Sequence, residues 1–167
     1  MGLKLHKKYC SYYPALVLAL NNVDGDVLEL GAGSFSTFFL HWLCLEQDRK
    51  LVTYENDKAY YDMVKHCQSE YHDVIFIDNW DDMDLRRSWG IALVDHAPAI
   101  RRKEDIKKLA NYAQCVIAHD TQGRANKHYR YDEIIPLFKF RVGFPKLLPQ
   151  SLIFSNFMDV TKWTYRS

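Results

Sequence analysis

Short apolar runs punctuated by turn residues dominate the chain. VLEL (27–30), LVTYE (51–55), DVIFID (Asp73 to Asp78), GIALVD (Gly90 to Asp95) and QCVIAHD (114–120) read as buried strands. Between them lie segments with helical spacing. SYYPALVLALNN (11–22) carries Pro14 near its first turn, where a missing N–H costs little. Phe35 to Leu45 is almost wholly apolar, and Lys58 to Cys67 begins after Asp57, a capping residue. Arg101 to Ala113 places Ile106, Leu109 and Ala110 on one face. This β-α alternation predicts an α/β fold with a doubly wound, mostly parallel Rossmann-like sheet of about seven strands. The last two strands, FKFRVGF (138–144) and SLIFSNF (151–157), follow a polar loop (121–133) and a short helical stretch from Ile134 to Phe138. They are separated by Pro145 and Pro149 and read as an antiparallel pair closing the C-terminal sheet edge. No repeat, linker or low-complexity run interrupts residues 1–167, so a single domain is expected.

Composition changes this picture little. A net charge of +1 gives no global field to recruit nucleic acid or an anionic membrane, so neither partner is expected. Residues 1–10 carry basic side chains, but the ALVLAL run that follows is too short to span a bilayer. Neither a signal peptide nor N-myristoylation is expected there. Cys10, Cys44, Cys67 and Cys115 form no CxxC pair, which suits reduced thiols and a cytoplasmic protein. Phe138, Phe140, Phe144, Phe154 and Phe157 could be core or the face of a homodimer.

The candidate chemistry lies where strands end. In open α/β sheets ligands sit outside the C-terminal strand ends. There the sequence gathers Glu29 with Gly31 and Gly33, Glu55, Asp78, Asp95-His96 and His119-Asp120. A glycine turn between a strand and a helix start lets a nucleotide-like ligand approach the backbone. Ser36 occupies the third glycine position of the dinucleotide fingerprint, which weakens a pyrophosphate reading and a nicotinamide-dependent oxidoreductase with it.

LELGAGSFST resembles the first motif of class I S-adenosylmethionine (AdoMet)-dependent methyltransferases. LVTYEND resembles their second motif, FIDNW the adenine-contacting region and GIALVDHAP the fourth, in order over residues 25 to 122. The resemblance implies AdoMet as cofactor. Gly31 and Gly33 would admit its methionine and ribose, Glu29 would brace the loop or reach the amino group, and Glu55 would accept the ribose hydroxyls. Asp78 would take the adenine amino group, with Asn79 or Trp80 along the ring, and Ser36 or Thr37 would meet the methionine carboxylate. Asp78 capping a turn and Trp80 filling core are the alternatives.

The catalytic candidates are Asp95, His96, His119 and Asp120, with a histidine as general base. Alternatively, Asp95 and Asp120 would hold Mg²⁺, as the resemblance to catechol-type O-methyltransferases implies. Thr121 stands where that type has Asn or Asp, no catalytic lysine is identifiable, and no His spacing supports zinc. Base-methylating D/N-P-P-Y/F motifs are absent. Arg101-Arg102-Lys103 with Lys107 and Lys108 form a solvated face or a phosphate contact, and Gln122 to Tyr131 a substrate lid or plain loop. The expected activity is methyl transfer to an oxygen or nitrogen of a small-molecule substrate; an AdoMet-binding lyase, regulator or degenerate subunit is the alternative.

Overall fold

The structure is a computed structural model that describes residues 10–164, without the side chains of residues 124–126. The basic N-terminal segment of residues 1–9 and the targeting expectations attached to it lie outside the described residues. Seven strands form one sheet: β1 (Val27–Leu30), β2 (Leu51–Glu55), β3 (His72–Phe76), β4 (Trp89–Val94), β5 (Ala113–His119), β6 (Phe140–Gly143) and β7 (Ser151–Ser155). Their order is β3-β2-β1-β4-β5-β7-β6. The first five are mutually parallel, and β7 runs antiparallel between β5 and β6.

Strand alternation divides the core between two faces. Val27, Leu51, Ile91, Leu93, Cys115 and Ile117 pack with α1 (Tyr13–Asn22) and α2 (Ser36–Glu46). Leu28, Leu30, Val52, Ala92, Val94 and Val116 face the other way, against α4 (Arg102–Leu109). β1 and β4 are buried at every position, as central parallel strands covered on both faces must be. α3 (Lys58–Val64) flanks β2 and β3, and Asp57 caps it by accepting from the N–H groups of Ala59 and Tyr60 at 2.8 and 3.3 Å.

Several boundaries differ from expectation. β3 stops at Phe76, so Ile77 and Asp78 belong to the following turn. α4 ends at Leu109, leaving Ala113 to open β5. The polar loop contains a helix, α5 (Gly123–Tyr129), which its glycine and polar residues did not signal because they carry no apolar period. Beyond it, residues Ile135–Leu137 form a single 3₁₀ turn around Pro136. Among the C-terminal aromatics Phe154 is fully buried, Phe138 packs against it, Phe140 and Phe144 pack on the α1 side, and Phe157 is exposed. No helix among the described residues is long and apolar enough to cross a membrane.

The chain reverses direction across the sheet between β1 and β4: β2 and β3 lie on one side, β5 and β7 on the other. The loops after β1 and β4 meet there. Gly31 has φ +94°, and a Cβ on it would come 2.6 Å from the Cα of His96. Gly31→Ala combines a strained φ with a backbone collision. It should cost more than about 1 kcal/mol in chemical denaturation and displace the loop that follows.

Candidate functional site

Outside the C-terminal ends of β1, β2, β4 and β5 lies a cleft of about 630 Å³. Its floor is Gly31-Ala32-Gly33, with Glu55 on one flank and Asp95, His119 and Asp120 on the other. Glu55 is 5% exposed and held from three directions. Its Oε2 accepts from the Ala32 N–H at 2.6 Å, and its Oε1 from the N–H groups of Asn56 and Asp57 at 2.8 and 2.7 Å. Burial raises the Glu55 pKa, and those backbone donors oppose the rise. The carboxylate thus ties the end of β2 to the glycine turn.

Glu29 lies beneath that turn and is fully buried. Its Oε2 accepts from Thr37 Oγ1 at 2.9 Å and Thr53 Oγ1 at 2.8 Å, and Thr37 Oγ1 in turn accepts from the Gly33 N–H at 3.0 Å. Thr53 Oγ1 also meets His72 Nε2 at 2.8 Å, and the two Nδ1 atoms of His72 and His41 lie 3.1 Å apart. Glu29 is therefore the brace of the loop, and its Oε1 makes no hydrogen bond among the described residues. Ser36 lines the cleft at the start of α2, whereas Thr37 points into this buried network. Burial pushes the Glu29 pKa up to about 7, with the hydroxyls of Ser36, Thr53 and Thr37 opposing the rise. An acid whose folded pKa is raised holds a proton that the unfolded chain releases, so its contribution falls as pH rises toward and through about 7. His72 acts oppositely. Burial first, then His41, lower it to about 4, so it penalises the fold only as pH falls below about 6.5. Between pH ~6.5 and ~8 Glu29 acts without His72. Relative to Glu29→Gln, wild-type stability should fall by about 1 kcal/mol across that interval, read from urea midpoints.

At the end of β3 the residues separate. Asp78 and Asn79 are exposed, and Asn79 Oδ1 caps the next turn by accepting from the Asp81 N–H at 3.0 Å. Trp80 is 4% exposed, donates Nε1–H to the Ala97 carbonyl at 2.7 Å and meets the His96 ring edge-on at 4.2 Å. None of the three lines the cleft. Trp80 fills the core, the alternative that its sequence position left open.

His96 and His119, equivalent in sequence, differ in space. The His96 side chain is wholly buried, its Nε2 2.9 Å from Asp105 Oδ2, while Arg101 forks onto the same carboxylate at 2.9 and 3.0 Å. Burial lowers the His96 pKa, Asp105 opposing. Both its imidazole nitrogens are thus buried, Nε2 against Asp105, rather than open to the cleft. His119 is clamped at both ring nitrogens, Nδ1 3.1 Å from Asp95 Oδ2 and Nε2 3.0 Å from Ser11 Oγ, with the Tyr12 ring edge-on at 5.1 Å. Tyr131 donates its hydroxyl to the His119 carbonyl at 3.0 Å.

Arg102 joins the two acids. Its Nη1 lies 2.8 Å from Asp95 Oδ1 and 3.3 Å from Asp120 Oδ2. Its Nε and Nη2 donate to the carbonyls of His96 and Asp95 at 2.7 and 2.9 Å. The guanidinium also stands 5.1 Å from the Tyr129 ring centroid, and Tyr129 Oη is 3.4 Å from Asp120 Oδ2. Arg102, read from sequence as part of a solvated face or a phosphate contact, is instead buried and ion-paired, and sequence reasoning missed Tyr12 and Ser11. For Arg102 a signal existed: it stands four and seven residues before Ile106 and Leu109, at the head of the buried stripe of α4. The other basic residues of that helix are ion-paired, Lys103 with Glu133 at 2.9 Å and Lys107 with Glu104 at 3.3 Å.

Asp95, His119 and Asp120 bring three donor atoms within 4.8 Å of one another. Mg²⁺ does not fit them. It favours an all-oxygen octahedral shell, whereas this set includes an imidazole, and a fixed guanidinium already stands within 3.3 Å of both carboxylates. AdoMet fits better. The glycine-turn backbone forms the floor of the cleft, Glu55 faces the cleft at the end of β2, and α2 begins beside it without a side-chain cap.

Comparison with solved structures identifies the fold. The chain superimposes on a human methyltransferase 10 domain containing protein with a TM-score of 0.62 at 9% identity, over 90% of this chain and 83% of that one. The chain has the class I methyltransferase fold. The same architecture appears in a methyltransferase from Pyrococcus furiosus (TM-score 0.58, 14% identity, 89% of this chain and 83% of that one). It recurs in the hMettl16 catalytic domain in complex with MAT2A 3'UTR hairpin 1 (TM-score 0.61, 12% identity, 93% and 71%). At the level of sequence, neither protein families nor curated proteins gave a match. Within the class I methyltransferase fold, the cleft lies at the reversal point between β1 and β4, where this topology places ligands.

Proposed function

We propose that this protein is an AdoMet-dependent methyltransferase acting on a nitrogen or oxygen of a small-molecule acceptor in the cytoplasm. The observation that carries the reading is Glu55, a buried carboxylate locked by three backbone N–H groups beside the glycine turn and open to the cleft. Glu55 accepts the two ribose hydroxyls, Gly31 and Gly33 give backbone access, and the N-terminus of α2 with Ser36 receives the carboxylate. Asp78 and Asn79, exposed in the turn after β3 and outside the cleft lining, carry no part of this reading. When bound, AdoMet supplies a methyl group on a positively charged sulfur.

Transfer of that methyl is an in-line displacement, so the remaining work is orientation and proton removal. Asp120 faces the cleft as the proton acceptor. Asp95, Arg102, His119 and Ser11 form the chain of contacts that fixes it. His96 holds the loop after β4 through Asp105.

Turnover is the test: S-adenosylhomocysteine should accumulate with an acceptor panel at the same rate with and without EDTA. Binding without turnover would support the lyase, regulator or degenerate-subunit alternative, and a rate abolished by EDTA and restored by Mg²⁺ would restore the metal.

A further inference from the structure

We infer that the acceptor is an amine, recognised as its ammonium form by Asp120 at the β5 end of the cleft. This rests on the methyltransferase reading and deepens it. Among the described residues lining the cleft are four carboxylates, Glu55, Asp57, Asp95 and Asp120, and one guanidinium, Arg102. The guanidinium is not available to a ligand. Its side chain is 8% exposed and its nitrogens are spent on Asp95, Asp120 and two backbone carbonyls. The carboxylates above it are more open, at 26% for Asp95 and 23% for Asp120.

The two acids differ in what they have left to offer. Asp95 uses one oxygen on Arg102 and the other on His119. Asp120 gives Oδ2 to Arg102 and Tyr129, whereas its Oδ1 is 3.9 Å from His119 Nδ1 and makes no hydrogen bond among the described residues. Asp120 also sits at φ +60°, the left-handed region that a non-glycine residue adopts at a cost, at the site where such strain concentrates. Its position delivers a partly unpaired carboxylate to the acceptor end. A cation completes that carboxylate; a phosphate or a second carboxylate is repelled by it. Bound AdoMet carries one net positive charge, so a cleft with three more negative than positive side chains remains anionic after the cofactor enters.

The chemistry balances. The ammonium gives one proton to Asp120, and the freed nitrogen lone pair forms the N–CH₃ bond. The S–CH₃ bond breaks with its electron pair left on sulfur, giving S-adenosylhomocysteine and a methylammonium product.

The test uses four probes on one skeleton: phenethylamine, 2-phenylethanol, phenylacetate and 2-phenylethyl phosphate. Each is titrated by calorimetry into the full chain, alone and with saturating S-adenosylhomocysteine. The amine should bind on the order of tenfold tighter than the alcohol, as a charge-assisted hydrogen bond predicts, with the two anions weaker still. Asp120→Asn should erase the amine's advantage without lowering the affinity for S-adenosylhomocysteine. Equal binding of all four probes, no binding of any, a preference for either anion, or tight binding of a short RNA hairpin would overturn the inference. A flat S-adenosylhomocysteine titration would instead defeat the methyltransferase reading, and the headgroup ranking on the free protein still decides the amine question.

Discussion

Glu55→Ala is expected to abolish cofactor binding, weakening the affinity for S-adenosylhomocysteine by at least about 100-fold in calorimetry. Two hydroxyls on one carboxylate are two charge-assisted hydrogen bonds, each worth roughly 1.5–3 kcal/mol, and a factor of 100 corresponds to about 2.7 kcal/mol. The substitution also strands three backbone donors, those of Ala32, Asn56 and Asp57, so the glycine turn loses its tie to β2. Glu55→Gln is no milder. Both carboxylate oxygens accept from N–H groups, so an amide nitrogen at either position faces a donor. Glu55→Asp keeps the charge but shortens the reach, and should fall between wild type and those two variants. Unchanged affinity in Glu55→Ala would mean that the ribose lies elsewhere.

The second large effect is on stability. Arg102→Ala should lower the unfolding free energy by about 3 kcal/mol, the scale for removing one member of a buried ion pair. That is a fall in Tm of roughly 6–12 °C for a chain of this size. The cause is Asp95 and Asp120, which face each other across the guanidinium and share it at 2.8 and 3.3 Å. Without it, two carboxylates confront each other beside a loop whose His96 and Asp95 carbonyls have also lost their donor. Arg102→Lys should recover only part of the loss, because one ammonium cannot reproduce four directed contacts. A melting temperature indistinguishable from wild type would remove Arg102 from the account.

The fold was legible because its signals are local. Alternation and turn residues marked the five parallel strands, and the prolines at 145 and 149 separated the antiparallel pair. The glycine-turn end of the cleft was legible for the same reason: Gly31, Gly33, Glu29 and Glu55 lie in two short motifs on adjacent strands. The β5 end was not. It is assembled from Ser11 and Tyr12 before α1, Arg102 at the head of α4 and Tyr129 at the end of α5, residues separated by up to 118 positions. No local pattern pairs Ser11 with His119. The two Asp-His neighbours looked alike in sequence, yet His96 faces α4 and Asp105 while His119 faces α1 and Ser11. Trp80 was ambiguous because an indole beside a strand end serves core or ligand equally well; its bond to the Ala97 carbonyl decides for the core.

One calorimetric titration addresses the central claim most directly. S-adenosylhomocysteine and NAD are each titrated into the wild-type chain. A saturable single-site isotherm with S-adenosylhomocysteine, and none with NAD, is the predicted result. No heat with S-adenosylhomocysteine, or an isotherm with NAD alone, would contradict the assignment of the cleft to AdoMet.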